Sequence, residues 1–294
     1  MPPHTKPPHL LPAPGAAFET WRDWVARFAA LLTDAPADAS PIAAAAARPG
    51  HCMIFSPHPD DECIVGALPL RLAREAGWRV TNVAVTLGSR PERREPRWRE
   101  LEAACAVLGF DNMRPTEQGL AQVRTETELQ SPQLWRAHRR CIAELLQEER
   151  PDLVLAPHAG DGNPTHKGVH KLLTQALSET GLPCLLAETE FWATMETPNC
   201  LVESGIDDTA RLVQALACHL GEIERNPYHL RLPAWLADGV RRGGELMGGA
   251  GSQPPAYAFG TLYRLSRWEG GSPQDLAPQH FPATAPLSGR EFLP

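Results

Sequence analysis

The stretch IFSPHPDDECIVG, residues 54–66, places a histidine and three acidic residues directly after an apolar run. The apolar run HCMIFSP, residues 51–57, predicts a short buried strand. The segment that follows, CIVGALPLRLAREAG, has helical periodicity and stops at Gly77. Strand, turn and helix in this order form a βα unit. Polar side chains at the carboxyl end of its strand indicate a site rather than core packing.

The same alternation continues along the chain. Apolar runs predict strands in RVTNVAVTLG, PDLVLAP and PCLLAETEFWA, and helical periodicity predicts helices of ten or more residues between and after them. Ser131 and Pro132 are typical of a helix start. Strands that alternate with such helices favour an α/β, Rossmann-like fold, with a mainly parallel sheet covered by helices on both faces.

The pattern predicts a single domain with additions at both ends. Residues 1–45 form an N-terminal extension that begins as a poorly ordered arm and has one helix at about 18–34. Residues 46–225 hold the alternating core, and residues 226–294 form a loop-rich C-terminal appendage that completes the same domain. Within the appendage, GVRRGGELMGGAGSQPP predicts a mobile loop, and AYAFGTLYRL predicts a last strand.

Composition excludes several classes of protein. The formal net charge is −7 and the pI about 5.9, so no nucleic-acid-binding face is expected. No apolar segment reaches membrane-spanning length without a charge or a breaker, so no membrane contact is expected. The seven cysteines are odd in number and form no CxxC pair, which favours reduced thiols in a cytoplasmic protein. The oligomeric state stays open.

Two polar clusters follow predicted strands and are expected to meet at one edge of the sheet. His58 and Asp61 lie in the first cluster, and His166 lies in the second, HAGDGNPTHKGVH. Two imidazoles and one carboxylate suit a catalytic zinc ion, although Fe²⁺ uses the same set. The plainer alternative for HPDDE is a helix start with acidic residues, which leaves His58 unexplained. No GxGxxG motif follows the first strand, which argues against a nicotinamide cofactor.

The motif PHPDDE, with the later NPTHKGVHKLL, resembles the PIG-L (LmbE-like) family of zinc-dependent de-N-acetylases. RWRELEAACAVLG and ETEFWATMETPNCLVESGID resemble further family segments, so the resemblance spans residues from about 50 to 265. It implies that residues 46–225 are the catalytic domain and that His58, Asp61 and His166 bind Zn²⁺. It also implies that Asp60 is the general base for a metal-activated water, and that Glu62 caps or orients the motif.

One departure from the family pattern concerns the second cluster. The family has His-Pro-Asp-His where this chain has NPTH, so Asn163 and Thr165 replace a His and an Asp. Asn163 could donate a hydrogen bond to an oxyanion but cannot act as an acid. His158 or His170 could compensate, or Asp60 could act alone.

Further residues are candidates for substrate binding: Arg97, Arg99, Asp161 and His170. Surface ion pairs are the alternative for the two arginines, and Asp161 could instead form a loop turn or support the metal ligands. Trp192 could stack on a sugar ring, although core packing is the preferred interpretation. Specificity is expected to lie in loops at about 88–98 and 240–255.

The expected function is hydrolytic removal of an acetyl group from an N-acetylated amino sugar of the N-acetylglucosamine type, or from its conjugate. An amidase of a larger acyl conjugate is the nearest alternative. A catalytically impaired metal- or sugar-binding protein is an alternative from another class. A phosphate- or nucleotide-binding module is disfavoured because no glycine-rich cradle follows a strand.

Overall fold

A computed structural model describes residues 11–32 and 49–294. Its described part contains one sheet of nine strands, in the spatial order β3-β2-β1-β4-β5-β7-β6-β9, with β8 paired to β7. The strands are β1 (His51–Ser56), β2 (Arg79–Ala84), β3 (Asp111–Met113), β4 (Leu153–Pro157), β5 (Cys184–Thr189), β6 (Cys200–Glu203), β7 (Gly260–Glu269), β8 (Ser272–Asp275) and β9 (Gln279–Phe281). The first five are parallel neighbours, and β7 runs antiparallel to both β5 and β6. The predicted α/β fold with a mainly parallel sheet is therefore confirmed.

The helices that connect and cover these strands agree closely with the periodic segments of the sequence as far as about residue 216. They are α1 (Phe18–Ala29), α2 (Leu68–Ala76), α3 (Pro91–Leu108), α4 (Thr127–Gln130), α5 (Pro132–Glu149), α6 (Pro164–Thr180), α7 (Ile206–Leu216), α8 (Leu220–Arg225) and α9 (Leu232–Gly248). Three short 3₁₀ helices lie at Asp61–Cys63, Tyr228–Leu230 and Arg290–Phe292.

Helices cover both faces of the sheet because the strands are apolar on both sides. On β1, Cys52 and Ile54 pack into one cluster, and Met53 and Phe55 pack into the other. Successive strand residues point to opposite faces, so this alternation divides the core into two layers. The first layer contains α1, α2, α3 and α7, and the second contains α5 and α6.

The predicted N-terminal helix can be compared with the structure only over the described residues. Helix α1 begins at Phe18, as predicted, and ends at Ala29; residues 33 and 34 of the predicted helix lie outside the described residues. The expected arm at 1–17 also falls partly outside them. Trp21 and Val25 of α1 are fully buried in the first core layer, so the helix docks on the sheet domain. Ser131 precedes Pro132, but its side chain makes no cap hydrogen bond.

The prediction of loops at 88–98 and 240–255 was wrong for most of these residues. Helix α3 starts at Pro91, because proline at the first helical position costs no hydrogen bond. Helix α9 runs through GVRRGGELMG as far as Gly248, although its glycines predicted a mobile loop. Residues 226–294 are also not loop-rich: they supply α9 and three strands, and β7 lies between β5 and β6 in the sheet.

The segment DTARLVQALACHLGEIER has helical periodicity throughout, but it is divided into α7 and α8 by a break at residues 217–219. The break turns the chain so that the fully buried His219 can reach the first polar cluster. Within the described residues, no helix has the length and apolar character needed to cross a bilayer.

Candidate metal centre and active site

The first polar cluster lies at the carboxyl end of β1, where the chain turns through a 3₁₀ helix at Asp61–Cys63 before α2 begins. Regular helix does not start at residue 63, as the periodicity suggested, but at Leu68. The side chain of Asp61 stabilises this turn, because its Oδ2 accepts a hydrogen bond from the backbone N–H of His58 at 2.9 Å. His58 and Asp61 thus face each other, with Nδ1 and Oδ2 3.4 Å apart.

The second cluster lies at the carboxyl end of β4, which is the neighbour of β1 in the sheet. Asn163 is the N-cap of α6, and its Oδ1 accepts a hydrogen bond from the backbone N–H of Thr165 at 2.8 Å. Pro164 occupies the first turn, so this helix start has the sequence signals that favour it. The cap fixes the first turn of α6 and brings the fully buried His166 to the centre of the site.

His58, Asp61 and His166 converge as the sequence predicted. Their nearest ligand atoms lie within 4.8 Å of one another, and His166 Nε2 is 3.3 Å from Asp61 Oδ2. Neither ring nitrogen of His166 has a hydrogen-bond partner among the described residues, although the side chain is fully buried. Buried polar atoms without partners are rare in proteins. A divalent cation between these three side chains would satisfy Nε2, the nitrogen that faces Asp61, so the residues present fit a metal ion.

The charges around His166 also favour a bound cation. Burial alone would lower the pKa of His166, but the carboxylates of Asp61 and Asp161 outweigh it and raise this pKa to about 10. Burial would likewise raise the pKa of Asp61, yet the imidazoles of His166 and His58 hold it well below its ordinary value. The site therefore stabilises positive charge between its carboxylates, whether that charge is a proton or a metal ion.

Asp161 supports His166 from the side away from Asp61. Its carboxylate is fully buried and accepts hydrogen bonds from the backbone N–H groups of Asn163, at 2.7 Å, and Trp192, at 3.2 Å. Its Oδ2 also lies 3.6 Å from His166 Nδ1. A carboxylate behind a ligand histidine is the usual way in which metal sites fix the orientation of the ring. Asp161 therefore lies against His166, where it can fix the orientation of the ring.

Asp60 has different surroundings from Asp61. It is not part of the three-residue group; one of its oxygens, Oδ2, accepts a hydrogen bond from the Tyr228 hydroxyl, and Oδ1 lies 3.9 Å from Arg97 Nη2. Its backbone has φ 120°, a conformation that non-glycine residues seldom adopt. Burial, followed by the adjacent Asp61 carboxylate, raises the pKa of Asp60 to about 7.

Glu62 holds this strained turn from inside the protein. Its Oε2 accepts the backbone N–H of Asp60 at 2.8 Å, and its Oε1 lies 2.6 Å from His219 Nε2 and 3.1 Å from the Cys63 thiol. Glu62, Cys63 and His219 could also be taken as metal ligands. However, these three side chains already hydrogen-bond one another and are fully buried. Within this cluster His219 Nδ1 alone lacks a hydrogen-bond partner among the described residues, whereas both ring nitrogens of His166 lack one. The group around His166 is therefore the better fit for a metal ion.

Three of the other sequence candidates lie outside the central group. The Arg99 side chain is 74% exposed and pairs with Glu95. His170 pairs with Glu188 at 2.9 Å, one helical turn after His166. The third, His158, has its Nε2 atom 3.0 Å from the carbonyl oxygen of Ala193, with which it forms a hydrogen bond. The structure therefore does not bring Arg99, His170 or His158 to the unpaired nitrogen atoms of the site.

Arg97 does approach the site, but it contacts the turn at Pro59 and not the three candidate metal ligands. Its Nη2 donates to the Pro59 carbonyl at 3.0 Å and lies 3.5 Å from Glu222 Oε1. Trp192 was expected to pack in the core, which was wrong: it is 54% exposed. Its backbone N–H is held by Asp161, which leaves the indole at the edge of the site. The adjacent Phe191 packs edge-on against His166, with ring centroids 5.0 Å apart.

Sequence reasoning missed Tyr228 and undervalued His219. Both lie in the segment after β6, where periodicity weakens, and no motif marks Tyr228. His219 follows an apolar helical stretch, as packed histidines do, and it is fully buried, but nothing in the sequence indicates its bond to Glu62.

Comparison with protein families now identifies the central part of the chain. Residues 53–177 match the family model described as PIG-L: GlcNAc-PI de-N-acetylase. Residues 53–177 form a PIG-L family domain. This segment begins in β1, ends in α6, and contains His58, Asp60, Asp61 and His166. No curated protein sequence matches the chain.

Solved structures with the same fold include two deacetylases. One is the N,N'-diacetylchitobiose deacetylase from Pyrococcus horikoshii, which is 17% identical over 74% of this chain and 83% of that one, with a TM-score of 0.55. The other is Dbv21, a deacetylase of the A40926 pseudoaglycone, which is 20% identical over 75% and 98% of the two chains, with a TM-score of 0.54.

The same fold also occurs in an enzyme of another class. GalB, the 4-carboxy-2-hydroxymuconate hydratase from Pseudomonas putida KT2440, is 15% identical over 74% of this chain and 95% of that one, with a TM-score of 0.52. A fold shared between a hydratase and deacetylases does not choose the reaction, so the site residues must carry the functional argument.

Proposed function

We propose that this PIG-L domain is a metal-dependent hydrolase that removes the acetyl group from an N-acetylated amino sugar or its conjugate. The observation that carries the proposal is the convergence of His58, Asp61 and His166, with nitrogen atoms lacking partners, beside a carboxylate that does not belong to the group. A metal site alone could be structural. A free carboxylate next to it gives the arrangement of a hydrolase.

His58, Asp61 and His166 would hold the ion, which we propose to be Zn²⁺. When bound, such an ion supplies Lewis acidity, lowering the pKa of water and polarising an amide carbonyl. Three protein ligands leave an open position for water or substrate, as in catalytic zinc sites. Fe²⁺ accepts the same two-histidine, one-carboxylate set, so the metal needs direct measurement.

The residues around the group have separate roles in amide hydrolysis. Asp60 would act as the general base, taking the proton of the attacking water and then passing it to the leaving amine. Among the described residues, no hydrogen bond reaches Asp60 Oδ1, so this oxygen is the one that can accept a proton. Asn163 has its Oδ1 committed to the helix cap, which leaves the Nδ2 group to donate to the developing oxyanion.

The substrate class is supported by the named relatives and by one exposed side chain. The chitobiose and pseudoaglycone deacetylases are named for acetylated sugar or glycoconjugate substrates. An exposed indole beside the site, Trp192, offers a flat apolar face of the kind that can pack on a sugar ring. A larger acyl group remains the nearest alternative, and acetyl and longer N-acyl conjugates should be compared directly.

The same proposal includes a cytoplasmic location. All seven cysteines are free, and five of them are buried. Burial raises the pKa of the Cys52 and Cys200 thiols above the ordinary value, so these thiols are inert core residues. Such cysteine usage suits a reducing compartment.

The test is metal analysis of the purified protein with three variants. We expect about one zinc per chain in the wild type and in Asp60→Asn, loss of metal in His166→Ala, and retention in His170→Ala. The last is a matched control, because His170 lies one turn further along α6 and pairs with Glu188.

Acetate release from N-acetylglucosamine conjugates completes the test. We expect turnover in the wild type that a chelator abolishes and zinc restores, and none in Asp60→Asn. A wild type that binds no zinc or iron would overturn the hydrolase proposal. Metal without turnover of any N-acyl sugar would instead favour a binding protein.

A further inference from the structure

Tyr228 is the side chain that contacts Asp60 most directly. Its hydroxyl donates a hydrogen bond to Asp60 Oδ2. Tyr228 lies 168 positions from Asp60 in sequence and outside residues 53–177, the segment that carries the family match. The side chain is neither fully buried nor fully exposed, so it stands at the boundary between the core and the site.

The position of Tyr228 is fixed by residues other than the three proposed metal ligands. Tyr228 begins the 3₁₀ helix Tyr228–Leu230, and its backbone N–H donates to the Asn226 carbonyl at 2.7 Å. The following residue, His229, is buried and packs edge-on against Trp21 of α1, with ring centroids 5.9 Å apart. Helix α1 and the 3₁₀ helix therefore hold the phenol in place from behind.

The Asp60 carboxylate needs such support because its backbone gives it little. The residue has φ 120°, and its N–H is held by Glu62 rather than by a regular helix or strand. A carboxylate on a strained turn can rotate unless an external group fixes it. The bond from Tyr228 occupies Oδ2 and so leaves Oδ1 as the oxygen available for proton transfer.

We propose that Tyr228 is a positioning residue that orients the Asp60 carboxylate for its role as general base. The inference rests on the proposed function and deepens it, because it assigns a role in the reaction to the part of the chain beyond the family match. Tyr228 acts through Asp60 and has no part in holding the metal. It also gives α1 an indirect role, since Trp21 supports the 3₁₀ helix that carries the phenol.

The experiment uses Tyr228→Phe in the full-length, zinc-loaded protein, because this change removes only the hydroxyl. We expect kcat to fall about 10- to 100-fold, the range that follows from losing one hydrogen bond to a charged group. KM, zinc content and melting temperature should stay at their wild-type values. This split between kcat and KM is what loss of positioning predicts.

Tyr257→Phe is the matched control. It removes the same atom from a tyrosine whose hydroxyl lies 2.6 Å from His280 Nε2, and it should leave kcat unchanged. An unchanged kcat in Tyr228→Phe would overturn the inference, and so would a loss of kcat accompanied by loss of zinc or of thermal stability. A wild type without zinc or turnover would overturn the proposed function itself, which is a distinguishable result.

Discussion

Asp60 and Asp61 are chemically identical neighbours that the fold places in different surroundings. Asp61 faces His58 and His166, whose imidazoles hold its pKa well below the ordinary value. Asp60 has a positive φ, and its carboxylate accepts a hydrogen bond from the Tyr228 hydroxyl instead. The resemblance to the PIG-L family implied two roles for them, but not which groups enforce the difference. Tyr228 and Glu62 do so, and neither contact has a signature in a single sequence.

At the same scale, Asp161 permits a test of the metal site that leaves all three ligands in place. Asp161→Asn keeps the size of the side chain but removes the charge 3.6 Å from His166 Nδ1. We expect zinc affinity to fall about 10- to 100-fold, as is usual when the partner of a ligand histidine is lost. Competition with a chromophoric chelator would measure it.

The control for that change is Asp238→Asn, which removes a carboxylate paired with Arg241 on the surface of α9. Its zinc affinity should equal that of the wild type. If Asp161→Asn also binds zinc as tightly as the wild type, Asp161 does not support His166, and the ring is oriented by its packing against Phe191 alone.

At the scale of elements, the sequence predicted those parts whose local signals agree with the fold. Helix α6 has Asn163 as its cap, Pro164 in its first turn and Gly181 just past its end, all typical helix boundaries. Helix α9 was missed because glycine disfavours helix in isolation. Tertiary packing overrides that preference: a Cβ on Gly239 would lie 2.5 Å from the Gly260 carbonyl oxygen of β7. Gly239 therefore serves close approach to the sheet rather than mobility.

This explanation of α9 predicts that Gly239→Ala destabilises the protein even though alanine is the better helix former. The added methyl group meets backbone, which cannot move aside as a flexible side chain can. We expect a loss of about 1–3 kcal/mol in the free energy of unfolding, measured by urea denaturation. Gly15→Ala, which has no heavy atom within 4 Å of the added carbon, should be neutral. A stabilised Gly239→Ala would indicate that helix propensity outweighs packing at this position.

At the scale of the whole molecule, the site is assembled from distant parts of the chain. The two clusters after β1 and β4 could be predicted to meet, because parallel strands end at one edge of a sheet. The contributions of His219, Glu222 and Tyr228 could not, since they depend on the break between α7 and α8 and on the path of the chain after it. A single sequence has no periodic signal for such a path. The residues after 178 are therefore part of the site's support.

The C-terminal residues are joined to the core through a fully buried arginine on α2, the first regular helix after the metal motif. Arg71 pairs with Glu75 at 3.0 Å, and its guanidinium also donates at 2.9 Å to the carbonyls of Phe281 and Ala285. Glu75 in turn accepts the backbone N–H of Leu287 at 2.8 Å. One buried ion pair thus ties the end of the chain to the helix that follows the site.

Breaking this pair should affect the stability of the whole protein rather than the chemistry of the site. Arg71→Met keeps most of the side-chain volume but leaves buried carbonyls and part of the Glu75 carboxylate without a donor, so we expect a loss of about 3–5 kcal/mol on urea denaturation. Arg99→Met removes an exposed arginine paired with Glu95 and should cost no more than about 1 kcal/mol. Equal midpoints for the two variants would mean that the C-terminal residues are held by their apolar contacts alone. In that case Leu287 and Phe292, both buried in the first core layer, would be the residues that retain them.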